Sequence, residues 1–445
     1  MRWVTVRSRY ARTSERRFVN HRRRGLVAAL VAAALLSTSV GSIEASASPP
    51  RGAADPKVVS DWNEVAFNTI IVDAGKMNAE AFLWFAFEQA AVYNAVVGIT
   101  RSYELYNWDV RGPRGASPQA AAAVAAHDVL LEYFPASQVR LDTALATSLA
   151  EIPDGTAKKQ GIRYGERAAD RLIELRVDDG RFAPVTFDVP PAPGVWRPTP
   201  PAFAPFFDPW LAKLRPLLLD SPSQFRPGPP PALTSATYTE DFNEVKQVGS
   251  LTSTVRTPDQ TATAVFIAGS VFQFVSSSLR DLAARHELDI SDSARLFAAV
   301  DMSVADGLIT SWDSKLEFGY WRPVTAIRLA DTDGNPDTDP DPTWLPLLAT
   351  PPYPDYTSNL TTLMGAGTRA LSGVLGLGGD RIDVNITVGG VTRHYETASQ
   401  LNQDAIDARV WSGIHFRTAD VVGSGTGTEV GAWALDNYFQ PTDKR

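Results

Sequence analysis

Three short segments in the second half of the chain hold residues that could bind a tetrahedral anion. In the first, Lys315 and Arg322 flank a short aromatic segment, and Pro323 follows directly. Two cations held close together repel each other unless an anion lies between them. The planar fork of arginine and the compact charge of lysine together suit a tetrahedral oxyanion. For this segment alone, the alternative is two solvated surface cations over a packed tryptophan.

The other two segments add a hydroxyl, a further cation and an imidazole. Ser358 follows a proline-rich run and opens a predicted helix, so its hydroxyl and the first helical N–H groups could bind an anion. A plain serine N-cap is the alternative. Arg409 and His415 lie six residues apart near the end of another predicted helix. A histidine nitrogen can coordinate a metal oxyanion or attack phosphorus, although a lone buried histidine is more often structural.

Helical patterns surround these segments, so the predicted fold class is mainly α. Apolar residues three and four apart indicate amphipathic helices on both sides of a proline-rich region. Strand signals are weak, apart from a predicted hairpin at 383–388 with Gly389-Gly390 as its turn. The predicted helices cover 62–67, 79–97, 118–134, 138–152, 157–177, 238–250, 258–285, 291–315, 358–375 and 399–416, with a short one at 210–219.

The chain divides into four predicted parts. Residues 1–47 are predicted to be a signal peptide and 48–182 an N-terminal helical bundle. A proline-rich connector at 183–237 leads to a C-terminal helical bundle at 238–445, which carries the candidate site.

The predicted signal peptide has the usual three features. Arginines crowd its start, an apolar run at 25–36 is too short for a stable membrane anchor, and Ala45-Ser46-Ala47 offers a cleavage site. Arg23-Arg24 also fits a twin-arginine signal, with an ordinary Sec signal as the alternative. The sequence therefore predicts a secreted or extracytoplasmic protein.

The composition is that of a globular protein and excludes several kinds of site and partner. Of the 445 residues, 44% are hydrophobic and 21% charged, as in soluble globular proteins. With no cysteine, neither disulfides nor thiolate-bound metals contribute.

Residues 1–47 hold nine of the 42 basic and two of the 50 acidic residues, so the remainder has 33 basic and 48 acidic residues and a net charge near −15. This argues against nucleic acid as a partner. No later apolar stretch is read as a membrane anchor, and the oligomeric state stays open.

In this order, the three segments resemble the vanadium-dependent haloperoxidases and the acid phosphatases of the type-2 phosphatidic acid phosphatase (PAP2) superfamily, in their bacterial secreted branch. The array is Lys-x6-Arg-Pro, then a proline-rich run ending in serine, then Arg-x5-His. The flanking words agree: Y-W-R-P-V-T-A-I-R at 320–328, G-I-H-F-R at 413–417 and A-V-Y-N-A-V at 91–96. The resemblance covers roughly 58–435. It implies two packed helical bundles with the site in the C-terminal one.

The resemblance also implies a role for the anion-binding residues. Lys315, Arg322 and Arg409 would bind the equatorial oxygens of vanadate or phosphate. Ser358 would donate a hydrogen bond, and the backbone of Asn359 would supply another.

His415 would be the direct vanadium ligand or, in a phosphatase, the phosphate-accepting nucleophile. Trp312 and Tyr353 would lie near a halide pocket. The implied cofactor is vanadate, a Lewis acid that does not change redox state, with no haem, flavin or nicotinamide. The implied partners are hydrogen peroxide with a halide, or a small organic or phosphoester substrate.

One position departs from the family pattern. The family loop reads Ser-Gly-His, and that histidine is the acid–base partner of the apical oxygen, whereas this chain has Asn359 and Leu360 after the serine. Leucine cannot transfer a proton, and general acid–base assistance contributes about 10²–10⁴-fold. We therefore expect weak peroxidase turnover, unless His394, Asp355 or Asp313 supplies the proton. An acid phosphatase, a non-oxidative relative or an exported oxyanion-binding protein are the alternatives.

A separate acidic segment lies between the first two anion-binding segments. Its alternating oxygen ligands around a glycine resemble a calcium loop, but it lacks the distal glutamate of an EF-hand. A solvated acidic turn is the alternative. The candidate calcium ligands are Asp331, Asp333, Asn335 and Asp337.

Overall fold

The computed structural model describes residues 54–76 and 79–442, so the predicted signal peptide at 1–47 lies outside the described residues. Within them the chain forms fourteen α-helices and one two-stranded sheet, and the predicted mainly α class is confirmed. The helices are α1 (Lys57–Phe67), α2 (Ala81–Thr100), α3 (Pro118–Tyr133), α4 (Gln138–Ala150), α5 (Thr156–Leu175), α6 (Ala236–Val248), α7 (Pro258–Ala268), α8 (Val271–Gln273), α9 (Leu279–Arg285), α10 (Ile290–Phe318), α11 (Pro323–Arg328), α12 (Asn359–Leu375), α13 (Ala398–Trp411) and α14 (Arg417–Asn437), and the strands are β1 (Arg381–Val388) and β2 (Val391–Thr397).

Local capping chemistry sets several of the helix starts. Thr257 and Thr397 each form a capping box with a glutamine three residues later, at the starts of α7 and α13. Asp289 accepts hydrogen bonds from the N–H groups of Ser291 and Asp292 at the start of α10. These caps satisfy backbone donors that a helix leaves without intrahelical acceptors.

The helices pack as two layers that share α10. In the N-terminal part, α2 packs against α3 and α5, and α3 also packs against α4. In the C-terminal part, α10, α12 and α14 pack against one another, with α13 beside α12. The 29-residue helix α10 also packs along α2, so the main hydrophobic core runs through both parts. The boundaries of the four predicted parts stay a prediction.

The connector contains one 3-10 turn, Pro209–Lys213, in place of the helix predicted at 210–219. The backbone N–H groups after this turn bond to helix α10 instead. The buried carboxylate of Asp306 on α10 accepts from Leu217, Leu218 and Leu219 at 2.7, 2.7 and 2.9 Å. A side chain that accepts three backbone donors takes the place of helical hydrogen bonds.

The single helix predicted at 258–285 is broken. It ends at Ala268, resumes at Val271, passes through a π-helical turn at Phe274–Ser278 and continues as α9, with a bend of 52° between α7 and the later part. Gly269-Ser270 lies at the break, where glycine weakens the helix. The bend turns Ala268 and Val271 toward the candidate site.

Helix α14 was not predicted, because its four glycines weaken the helical pattern. Those glycines let it lie very close to α12. A Cβ on Gly427 would come within 2.0 Å of the carbonyl oxygen of Thr362, and one on Gly431 within 2.5 Å of that of Ala366. The close contact brings the N-terminal turn of α14 beside Ser358.

The expectation that no later stretch could span a membrane needs one correction. By length and composition α2 is long and apolar enough to do so. Its apolar residues are buried within the protein, as in the core helix of a bundle.

Candidate functional site

Lys315 lies in the last turn of α10, fully buried. Its ammonium group donates to the carbonyl oxygens of Pro354, Asp355 and Thr357 at 2.7, 3.0 and 2.5 Å. Burial, and then the charge of Arg322, hold the pKa of Lys315 well below its usual range. Lys315 therefore anchors the loop before Ser358 from beneath.

Arg322 caps α11 and is also fully buried. Its Nε donates to the carbonyl oxygen of Tyr353 at 2.7 Å and its Nη1 to that of Ile414 at 2.7 Å. The ring of Tyr353 lies over both cations, 4.9 Å from the Arg322 guanidinium carbon and 5.1 Å from Nζ of Lys315. This aromatic face stabilises two neighbouring cations that would otherwise repel each other.

Ser358 is the N-cap residue of α12, but its side chain makes no capping hydrogen bond. Its hydroxyl is buried and, within residues 54–76 and 79–442, has no hydrogen-bond partner. Asn359 and Leu360 form the first turn of α12, where backbone N–H groups have no intrahelical acceptor. The hydroxyl and these N–H groups form the donor set that an oxyanion needs at a helix start.

His415 lies in the turn between α13 and α14 and is fully buried. Gly413 makes this turn with a φ of +76°, and a Cβ there would come within 2.3 Å of the carbonyl oxygen of Gly249. Glycine is required at such a position. The turn directs His415 to Arg322, whose Nη1 lies 3.0 Å from the Nε2 atom of the imidazole.

Asp355 also contacts the imidazole at Nδ1, the nitrogen that Nη1 of Arg322 approaches to 3.3 Å. Its Oδ1 lies 2.8 Å from Nδ1 of His415 and 3.6 Å from Nη1 of Arg322. Burial raises the pKa of Asp355 to about 7, although Arg322 and Lys315 oppose the shift. Burial and three nearby cations hold the pKa of His415 well below its usual range, so its imidazole is neutral at neutral pH.

Arg409 and Asp420 complete the site from α13 and α14. Arg409 is 6% exposed, and its Nε has no partner among the described residues. Burial raises the pKa of Asp420 well above its usual range. Ser358 and Arg409 oppose this rise in the pKa of Asp420, because both favour its ionised carboxylate. No hydrogen bond of ordinary geometry joins Asp420 to Ser358.

We call Lys315, Arg322, Ser358, Asn359, Arg409 and His415 the oxyanion site. Three buried donors in it, Nη2 of Arg322, Nε of Arg409 and Oγ of Ser358, find no acceptor in the part of the chain that the structure describes. A buried donor without an acceptor costs about 1–3 kcal/mol. A tetrahedral oxyanion beside His415 would accept from all three, so these residues fit vanadate or phosphate.

A cavity of about 210 Å³, lined mostly by residues with apolar side chains, opens beside the oxyanion site. Arg409, Asn359 and Tyr353 line it together with Leu360. The two residues predicted near a halide pocket differ in position: Tyr353 lines this cavity, whereas Trp312 is fully buried with its ring centre 4.9 Å from that of Tyr353.

The three candidate proton donors lie in different parts of the structure. His394 lies on β2 with its side chain 46% exposed, and its contacts are with Asn385 and Asp383. Asp313 forms a bidentate ion pair with Arg226 at 2.6 and 2.8 Å. Of the three candidates, Asp355 is the one in contact with an oxyanion-site residue.

Two of the four predicted calcium ligands in the acidic segment make hydrogen bonds within the protein. Asp333 accepts from the N–H of Asn335 and the hydroxyl of Thr338, both at 2.8 Å. Asn335 donates to the carbonyl oxygen of Leu233 at 2.8 Å. Among the described residues, no group of three or more His, Cys, Asp or Glu could hold a metal ion. The geometry favours the alternative, an acidic turn held by its own hydrogen bonds, over calcium ligation by Asp331 and Asp337.

Sequence reasoning missed Asp420 and did not assign the position of Asp355. Asp420 belongs to the helix that was not predicted, and nothing in its neighbours marks it. For Asp355 the available signal was its place three residues before Ser358, in the loop that Lys315 anchors.

Comparison with known proteins places this site in a family context. Residues 295–444 match the family model of the VCPO second helical-bundle domain, and this range holds the whole oxyanion site. The vanadium chloroperoxidase of Curvularia inaequalis is 29% identical over 280 residues, or 51% of this chain and 45% of that protein. The chain thus spans less than half the length of this relative.

Solved structures share the fold. A bacterial vanadium-dependent iodoperoxidase aligns with a TM-score of 0.75 at 24% identity, over 88% of this chain and 98% of that one. A holo-type bacterial vanadium-dependent chloroperoxidase aligns with a TM-score of 0.64 at 19% identity, over 86% and 97%. The predicted architecture of packed helical bundles is confirmed.

Proposed function

We propose that this chain, which is similar to the vanadium-dependent haloperoxidases, is a haloperoxidase-like enzyme. It binds vanadate in the oxyanion site and oxidises a halide with hydrogen peroxide. The observation that carries this proposal is the set of three buried donors around His415 that have no acceptor among the described residues. We further propose that it works outside the cytoplasm, as residues 1–47 predict.

The chain's own residues would perform four tasks. Arg322, Arg409 and Ser358 would donate to the oxyanion, while Lys315 holds the loop before Ser358 in place. Asp355 would favour a proton on Nδ1 of His415, and an oxyanion that uses Nε2 as its ligand would replace the contact that Nη1 of Arg322 makes with that nitrogen. Burial excludes water and strengthens each of these interactions. Bound vanadate would supply a Lewis acid that activates hydrogen peroxide toward halide.

Leu360 limits the rate of this chemistry in the proposal. Its side chain is 6% exposed and lines the apolar cavity, where it can neither donate nor accept a proton. Asp355 lies behind His415, at Nδ1. We therefore propose weak turnover, below that of an enzyme with the loop histidine by about 10²–10⁴-fold.

The experiment combines a binding measurement with two activity assays. Purified protein is titrated with orthovanadate and followed by ⁵¹V NMR, and then assayed for peroxide-dependent bromination and for hydrolysis of 4-nitrophenyl phosphate. His415→Ala should abolish both vanadate binding and bromination. His394→Ala, at an exposed histidine, is the matched control and should change neither.

Three outcomes are informative. Bromination that needs vanadate and His415 supports the proposal. Vanadate binding with phosphoester hydrolysis and no bromination would instead assign the acid phosphatase alternative. The absence of vanadate binding would refute the oxyanion site itself.

A further inference from the structure

The cavity beside the oxyanion site is built by helices from both halves of the chain. Phe82 of α2 and Phe272 of α8 stack with ring centres 5.0 Å apart and planes 7° from parallel. Leu360 and Leu363 of α12 form the facing wall, and Ala268 at the end of α7 borders it. Apart from the oxyanion-site groups and Tyr353, the residues that line it therefore have hydrocarbon side chains.

A halide or hydrogen peroxide alone does not account for such a space. Both are small and hydrated, whereas the cavity has about 210 Å³ lined by two phenyl rings and two leucines. An apolar cavity of about 150 Å³ is already large enough to bind benzene. The volume here fits one substituted six-membered ring, and is smaller than the roughly 300–1,000 Å³ of sites that hold drug-sized molecules.

Leu360 is central to this shape. It occupies the position at which the resemblance implies a histidine, and its apolar side chain lines the same cavity as Arg409 and Asn359. The polar groups at that end are an amide, a guanidinium and the hydroxyl of Tyr353, which donates to Oδ1 of Asn359 at 3.2 Å. These groups could form hydrogen bonds with a hydroxyl group of a ligand.

We propose that this cavity binds a small monocyclic phenol, with its ring between the Phe82–Phe272 pair and Leu360 and its hydroxyl toward Asn359. The reaction of this phenol rests on the proposed function, whereas its binding does not. Hydrogen peroxide takes two electrons from bromide and is reduced to water, which leaves bromine at the hypobromite level. The ring carbon then forms a C–Br bond and loses its proton, and the hypobromite oxygen leaves as water.

The test uses 4-ethylphenol as the probe and saturation-transfer NMR as the readout, with no turnover. Ala268 is exposed at the border of the cavity, so Ala268→Phe should block the opening without disturbing the core. We expect its affinity for 4-ethylphenol to fall at least about tenfold. Ala262→Phe, at an exposed alanine of the same helix, is the matched control and should bind like the unmodified protein.

A second variant tests the proposal in the opposite direction. Phe272 is partly exposed, and Phe272→Ala should enlarge the cavity, so that 4-butylphenol gains affinity relative to 4-ethylphenol. ⁵¹V NMR of both variants should show unchanged vanadate binding.

Activity separates the two proposals. Bromination of phenol red, a three-ring dye too large for the cavity, should be equal in Ala268→Phe and the control, while bromination of 4-ethylphenol should fall in Ala268→Phe. No binding of 4-ethylphenol, or equal binding by Ala268→Phe and Ala262→Phe, would overturn the inference even if phenol red is brominated. Binding that Ala268→Phe removes, with no bromination of either compound, would refute the proposed function and leave the phenol site standing.

Discussion

Nδ1 of His415 lies 2.8 Å from Oδ1 of Asp355, and both side chains are fully buried. The two residues are brought together by Lys315 and Arg322, which bind the backbone of the loop that carries Asp355 and the backbone of the turn that carries His415. A carboxylate behind a ligating or nucleophilic histidine fixes its tautomer and ring orientation. We therefore expect Asp355 to position His415.

The first prediction concerns this pair. Asp355→Asn keeps the shape but can present an amide N–H to Nδ1, so the imidazole loses its acceptor. We expect vanadate affinity to fall about 10–100-fold, measured by ⁵¹V NMR titration. Asp313→Asn changes an aspartate that pairs with Arg226 and should leave the affinity unchanged. Equal affinities for the two variants would show that Asp355 does not position His415.

The second prediction concerns the substituted loop position. Leu360→His places an imidazole in the first turn of α12, beside Arg409 and Asn359. We expect peroxide-dependent bromination to rise by about 10²–10⁴-fold, seen in kcat at saturating peroxide. Leu360→Asn is equally polar but cannot transfer a proton at neutral pH, and should give no such gain. A similar increase in both variants would mean that polarity, and not proton transfer, limits the rate.

The third prediction concerns the contact between α12 and α14. In Gly427→Ala the new methyl group would lie 2.0 Å from the carbonyl oxygen of Thr362, so the helices must separate. We expect a loss of about 1–3 kcal/mol in the free energy of unfolding, measured by urea denaturation. At Gly425 a Cβ meets no heavy atom within 4 Å, and Gly425→Ala should stabilise the helix by about 0.5–1 kcal/mol. Two equal losses would contradict the close contact.

The fourth prediction concerns a buried acid in the core between α2 and α10. Burial raises the pKa of Glu88 to about 8, although the neighbouring amide of Gln89 opposes the shift. Between about pH 4.5 and pH 8 the native state keeps a proton that the unfolded chain releases. The free energy of unfolding therefore falls as pH rises through this window, by up to about 1.4 kcal/mol per pH unit.

Glu88→Gln should remove this contribution. Urea denaturation from pH 5 to pH 8 should then show a flatter decline of stability than in the unmodified protein. Glu151→Gln, at an exposed glutamate, is the control and should leave the slope unchanged. A slope that Glu88→Gln does not alter would show that Glu88 is already ionised in the native state.

Much of the local structure could be predicted from the sequence. Apolar periodicity located α2, α3 and α10 within a few residues, and the glycine pair at 389–390 located the turn between the strands. The failures have local causes. Gly269-Ser270 interrupts a continuous apolar pattern, and the glycines of α14 weaken a helix that close packing then stabilises.

By itself the sequence determined which residue types could bind an oxyanion: Lys315, Arg322, Ser358, Arg409 and His415 differ from their neighbours in chemistry and spacing, and these features are local. Tertiary structure alone decided that Asp355 faces His415, that Tyr353 covers two cations and that Phe82 of α2 lines the cavity. The physical reason is that these relationships join side chains far apart in the chain. Their directions depend on how helices and loops pack, and periodicity within one segment does not determine that packing.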